Sequence, residues 1–372
     1  MTIVFLCGCS EPGRDGIGDY TRTLVAHLIA KGHKASIIAL NDTYCKQIVT
    51  EKQLLNEQDI QVLRIPYEAG IDDKVIAARK WIQAEQPDWL SLQFVLFSYH
   101  PKGLPSGLGT MLHNITKDHR LHIMFHELWV GMNKEATIKF KVWGWLQKQV
   151  IKNMLKKTKP VIIHTQTELY RYQLSSIGYK AQLLPIFSNI TITNKAKEVY
   201  KNDSIRLIIF GGIHEHTAVT EFAKDAAAYS KQNNKQVELV LIGRNGLYKD
   251  RWKQDWEDAG LPVTDYGEQS PAFISDVLLQ SSSGICTTPP SLIEKSGSVM
   301  AMRTHGLPVI CVSQHWHPSS RIPLSLPPNT IVYNKNNFAE CLSLQKYAPD
   351  YLATDRITCM FIDALLSAHS YG

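Results

Sequence analysis

Short unbroken apolar runs alternate with amphipathic stretches along this chain. Residues 3–6 (Ile-Val-Phe-Leu) contain no polar position, as a parallel strand covered on both faces requires. Tyr20, Leu24, Leu28 and Ile29 then recur at helical spacing, with Asp19 near the start and Gly32 as a stop. Residues 35–40 return to strand character. Strand, glycine-bearing loop (8–18), helix and strand make a βαβ unit, whose right-handed crossover implies a parallel sheet. The same alternation predicts strands at 61–65, 89–95, 121–125 and 161–164 and a helix at 75–84. A second series starts at 205–210 and runs through a helix (218–231), a strand (237–242) and a short strand near Val263. It ends with a helix (271–280), a strand (284–287), a helix (298–304) and a strand (307–312). Residues 186–204 read as the linker. The pattern predicts two Rossmann-like α/β domains with parallel sheets, their βα loops aimed at an interdomain cleft.

Composition sharpens this picture in three ways. The chain has 372 residues, 44% hydrophobic and 20% charged, enough for two domains with separate cores and not the composition of a disordered chain. A formal charge of +6 is mild for this length, so no nucleic-acid partner is expected. Seven cysteines without disulfide or zinc spacing point to a reducing compartment, and Cys7 and Cys9 read as small residues closing the first strand. Residues 1–6 lack the basic start of a leader peptide, and no apolar run approaches the ~20 residues of a spanning helix, so a cytoplasmic location is expected.

Two loops carry candidate chemistry. In the first, Gly13, Gly16 and Gly18 precede a helix, where free N–H groups suit an anion or a sugar hydroxyl. The glycines come too late after the strand for a dinucleotide fingerprint. Asp42, ending the second strand, nevertheless stands where a ribose-binding acid would, which keeps a nicotinamide-dependent oxidoreductase among the readings. In the second loop, Glu294, Lys295, Ser296, Gly297 and Ser298 lead into a helix. Amides and hydroxyls there suit a phosphate, Lys295 adds charge, and Glu294 can accept from ligand hydroxyls. The structural alternative is that Ser296 only caps the helix. His214 with His216, and His315 with His317, are imaginable metal pairs, but no acid–histidine set completes them and no metal is expected.

The order of these pieces resembles the retaining glycosyltransferases of the GT-B fold, most closely family 4, over nearly the whole length. The residues that carry it are Gly16-Ile-Gly18 with the helix ending at Lys31-Gly-His33, and His126-Glu127 after a strand. Phe210-Gly-Gly212, Leu241-Ile-Gly243, Glu294-Lys-Ser-Gly297 and Gly306-Leu-Pro-Val-Ile310 complete the set. The resemblance implies domains at 1–188 (acceptor side, with 351–372 packing back on it) and 203–350 (nucleotide-sugar side). It implies a metal-independent, retaining transfer from a nucleotide-diphosphate sugar, with no cofactor, to a glycan, glycolipid or other hydroxyl acceptor. His126 and Glu294 then take the catalytic positions. Gly16, Gly18, Gly212, His214, Arg244, Lys295, Ser296, Gly297 and Ser298 take the donor, and Asp19, Gln93, Tyr99 and Glu127 the acceptor. Two departures stand out. Met302 replaces the second acid of the family's Glu-x7-Glu motif, and Ile213-His-Glu-His-Thr217 replaces the loop that supplies an Arg and a Lys to the diphosphate. These departures motivate a second reading, a non-catalytic GT-B subunit that binds a nucleotide or glycan.

The segment 134–159 is rich in lysine, with Glu135 its only acid. Trp143, Leu146, Val150 and Met154 recur at helical spacing. Two readings of the basic helix 137–157 stand: an inward apolar stripe with solvated lysines, or a helix lying on anionic lipid at the inner face of the membrane.

Overall fold

The computed structural model describes residues 1–192, 204–215, 217–313, 316–320, 322 and 325–369. The chain forms two compact units. The first comprises Met1–Pro185, Pro318–Ile322 and Thr354–Gly372, and the second Ile186–His317 and Pro323–Ala353. The linker expected at 186–204 lies partly outside the described residues.

In the first unit the order is β1 (Thr2–Cys7), α1 (Gly16–Ala30), β2 (Lys34–Asp42), β3 (Val49–Leu55), β4 (Gln58–Pro66), α2 (Ile71–Glu85), β5 (Trp89–Phe94), α3 (Leu108–Thr116), β6 (Leu121–Phe125), α4 (Ile138–Thr158), β7 (Ile162–Thr165), α5 (Glu168–Ser175) and β8 (Gln182–Leu183). The sheet runs β3-β4-β2-β1-β5-β6-β7-β8, parallel throughout except for the antiparallel β3–β4 pair. That hairpin departs from the all-parallel expectation. Its tip is Asn56-Glu57, both with positive φ, the geometry of a tight primed turn. Glutamate is not a usual residue there, so the turn left no signal in the sequence.

The second unit holds β9 (Ile205–Phe210), α6 (Val219–Asn233), β10 (Val237–Ile242), α7 (Lys249–Asp258), β11 (Val263–Asp265), α8 (Pro271–Gln280), β12 (Ser283–Cys286), α9 (Gly297–Thr304), β13 (Val309–Cys311), β14 (Thr330–Val332) and α10 (Phe338–Cys341). Its sheet order, β11-β10-β9-β12-β13-β14, is parallel at every pair. Its direction of winding reverses between β9 and β12, the position where open α/β sheets bind ligands. Phe222 anchors one face of this core among Trp252, Trp256, Tyr333 and Phe338.

The last helix, α11 (Ala353–His369), returns to the first unit, which takes in Thr354–Gly372. Phe361 is fully buried there, its ring 5.8 Å from that of Phe5 and edge-on to His122 at 5.2 Å. Asp355 adds an ion pair to Lys31 at 3.1 Å.

The buried face of α4 is not the stripe read from the sequence. Gln147, Ile151, Met154, Leu155 and Thr158 point inward, whereas Leu146 is exposed and Trp143 and Val150 are only half-buried. The inward glutamine is satisfied on both sides: its Oε1 accepts from Val130 N at 2.9 Å and its Nε2 donates to Lys102 O at 3.2 Å. A polar residue so bonded sits in the core without penalty.

Candidate functional site

In the second unit, the ends of β9 and β12 and the first turn of α9 enclose a cavity of about 90 Å³. Phe210, Gly212, His214, Thr287, Thr288, Ser296, Ser298 and Met302 are among the residues lining it. Ser296 is the N-cap of α9, accepting from Val299 N at 3.4 Å, so its capping role is real. The next N–H groups, of Gly297 and Ser298, lie in the first turn, where no intrahelical carbonyl reaches them.

Close approach at this point depends on Gly211. Its φ is +82°, and a Cβ there would stand 2.5 Å from Ser298 Oγ. Gly212, the residue singled out from the sequence, carries no such constraint, since a Cβ on it would meet nothing within 4 Å. Two residues unremarked in the sequence hold this loop. Asn245 Nδ2 donates to Gly211 O at 2.8 Å, and its own carbonyl accepts from Ile213 N at 3.0 Å. Thr287 Oγ1 accepts from His214 N and lies 3.0 Å from His214 Nδ1, which leaves Nε2 for a ligand. Burial, with the Lys295 cation as a smaller effect, lowers the His214 pKa and keeps the ring neutral.

Glu294 and Lys295 are half-buried in the 3-10 turn Pro290–Lys295 that leads into α9, beside the cavity lining. Arg244 pairs with Glu268 at 2.8 Å, both side chains more than half exposed. Arg303, the one cation within α9, is in its last turn, at the far end from Gly297. Met302 is fully buried against Gly284, so the position of the missing acid is a packing position here. His216 and His315 lie outside the described residues.

In the first unit, Gly16 and Gly18 belong to the first turn of α1, not to the loop before it, with Asp15 as N-cap accepting from Ile17 N at 3.1 Å. Gly18 permits α1 to cross the preceding loop, because a Cβ there would come within 2.5 Å of Cys9 O. The Asp19 carboxylate, expected at an acceptor, is spent on the loop: it accepts from Gly13 N at 2.9 Å and pairs with Arg22 at 3.2 Å. Asp42 is fully buried and holds Arg64 in two hydrogen bonds of 2.8 and 3.1 Å, while accepting from Ser10 N and Tyr44 N. Burial pushes its pKa up, but the Arg64 guanidinium and these N–H groups outweigh that and hold it low. A carboxylate so occupied has nothing to offer a ribose, which removes the nicotinamide reading.

His126 follows β6 directly and is only 4% exposed. Its Nε2 lies 2.9 Å from Gln93 Oε1, Tyr20 meets its ring edge-on at 5.0 Å, and its carbonyl accepts from Gln166 Nε2 at 2.7 Å. Burial holds its pKa down at about 3, so the imidazole is neutral. Gln93 is not an open acceptor contact. It is buried in β5, and its Nε2 donates to Ser91 Oγ at 2.9 Å. From there the chain of bonds continues through His122 (2.8 Å) to His164 (3.0 Å). Tyr99 is likewise core: its ring stacks on Phe94 at 6.1 Å, and burial raises the pKa of its hydroxyl. Glu127 is half-buried beside His126.

No family model matches the chain, and no curated protein matches it in sequence. Solved structures do. The chain is similar to Anabaena HepE in complex with UDP and glucose (TM-score 0.62, 13% identity, covering 99% of this chain and 100% of that one). It is similar to a glycosyltransferase from Rickettsia africae (TM-score 0.62, 12% identity, 100% and 99% covered). It is also similar to a putative UDP-N-acetylglucosamine 2-epimerase from Listeria monocytogenes (TM-score 0.54, 9% identity, 98% and 97% covered). The fold is GT-B, and it is shared by enzymes of different chemistry.

Proposed function

We propose that this GT-B chain is a glycosyltransferase that moves a sugar from a nucleotide-diphosphate donor to a hydroxyl of a glycan or lipid-linked acceptor, with retention and without a metal. The observation that carries the reading is the cavity at the β9/β12 reversal. There Gly211 makes room against Ser298 and the first-turn amides of α9 border the opening. The complex of HepE with UDP and glucose supports a nucleotide-linked sugar as the ligand of such a frame.

Breaking the anomeric C–O bond builds positive charge on the sugar and negative charge on the departing diphosphate. The Gly297 and Ser298 amides, with Lys295 beside them, stabilise that negative charge as it forms. Glu294 accepts from donor-sugar hydroxyls. His126, which the resemblance assigns to the sugar, is a buried neutral imidazole able to hydrogen-bond a hydroxyl. The leaving oxygen itself takes the proton of the attacking hydroxyl, so retention needs no enzymic nucleophile.

Purified chain incubated with a panel of nucleotide-diphosphate sugars is expected to release the nucleoside diphosphate from one of them, and Glu294→Ala to abolish that release. His126→Ala should lower kcat about tenfold, the worth of one neutral hydrogen bond, with KM little changed. Met302, buried where the family carries an acid, favours the second reading, a binding subunit without turnover. Saturable binding of a donor with no release from any would establish it instead.

A further inference from the structure

The outward face of α4 carries its own apolar stripe. Ile138, Val142, Trp145 and Leu146 stand at i, i+4, i+7 and i+8, one side of a helix, and are 81%, 54%, 59% and 40% exposed. The helix cannot rotate to bury them. Gly144 is pressed against the Val130 carbonyl, and Gln147 is bonded to both Val130 and Lys102. Trp143 Nε1 donates to Lys102 O at 2.8 Å. The stripe is therefore a fixed surface on the side away from the core.

Charge identifies what covers it. Lys139, Lys141, Lys152 and Lys156 are exposed along and beside the same face, and Glu135 is the only acid between 134 and 159. We propose that the outward face of α4 docks on an anionic phospholipid bilayer, Ile138 and Trp145 entering the headgroup–acyl boundary while the lysines meet lipid phosphates. A helix with apolar and aromatic residues on one face among lysines lies in that boundary, and an indole suits it, apolar in body and polar at its N–H. A second copy of the chain fits poorly, because pairing two such faces would oppose their lysines. The surface stands whatever reaction the chain performs.

Flotation of the full chain with vesicles tests this, using phosphatidylcholine alone and an equimolar mixture with phosphatidylglycerol. The chain is expected to float with the mixed vesicles and not with the neutral ones. Ile138→Ser with Trp145→Ser should lower partitioning at least about tenfold, since each large side chain contributes on burial. Lys152→Gln and Lys156→Gln should each lower it about fivefold, the equivalent of ~1 kcal/mol per lysine near the surface. All four positions are exposed, so thermal unfolding of the variants should match the parent. Equal partitioning into both vesicles, no partitioning, or parental behaviour of both variant pairs would overturn the proposal. So would self-association, seen by light scattering and lost in the variants, in a chain that ignores vesicles.

Discussion

His126, just past the end of β6, faces Gln93 of the neighbouring strand β5, the imidazole Nε2 2.9 Å from the amide Oε1, with both side chains buried. The amide meets the imidazole with its oxygen, and its other end is tied to Ser91. The orientation of the ring is thus set from inside the sheet, before any ligand arrives.

Replacing Gln93 tests that relationship. Gln93→Leu leaves the His126 Nε2 without its partner, and a buried unsatisfied group costs about 1–3 kcal/mol, read as a lower urea midpoint. Gln93→Glu keeps an acceptor but places a carboxylate beside the ring, which favours the imidazolium. The His126 pKa, held at about 3 in the parent, should rise by several units on NMR titration. An unmoved titration would show that the two side chains do not communicate.

The glycine pair after β9 offers a contrast between neighbours. Gly211→Ala puts a side chain into left-handed backbone and against Ser298, and should cost about 1–2 kcal/mol in stability from the backbone alone. It should also weaken donor binding, measured by calorimetry. Gly212→Ala meets no atom and should leave both quantities near the parental values. Equal effects at the two positions would contradict the role given to Gly211.

Acid should weaken the first unit before it protonates the unit's carboxylates. Burial lowers the pKa of His122, His126 and His164, the last two to about 3 and about 4. The unfolded chain takes up protons near pH 6.5, whereas the folded chain refuses them until much lower pH. Stability is therefore complete above about pH 6.5 and declines as pH falls toward 4, by as much as about 1.4 kcal/mol per unit for each histidine. Urea midpoints measured between about pH 7 and pH 5 should show the slope, and His164→Asn should flatten it. A flat profile would mean that these rings are open to water.

Much of this architecture is legible in the sequence because parallel strands buried on both faces leave continuous apolar runs. The strand 237–242 and the helix 271–280 sit where periodicity places them. Apart from the β3–β4 hairpin, whose turn residues gave no signal, the main misreadings share one cause: polar side chains already occupied within the fold. Gln147 replaces the apolar residue a buried helical face normally shows, and so shifts the apparent stripe of α4 by a residue or more. Gln93 resembles a loop contact until the pleat of β5 turns it toward His126. Asp19 and Asp42 look like ligand acids because nothing in the sequence reveals that Gly13, Arg22 and Arg64 already occupy them. The choice between Gly211 and Gly212 depends on where Ser298 lies across the loop.

The return of α11 has a consequence for how this chain is born. Phe361 closes the layer over Phe5 and His122, so the segment that seals the first unit is made only after the whole second unit has been translated. While the second unit is being made, the first must wait with an apolar flank uncovered, and a truncated transcript ending before this helix would leave that flank open for good.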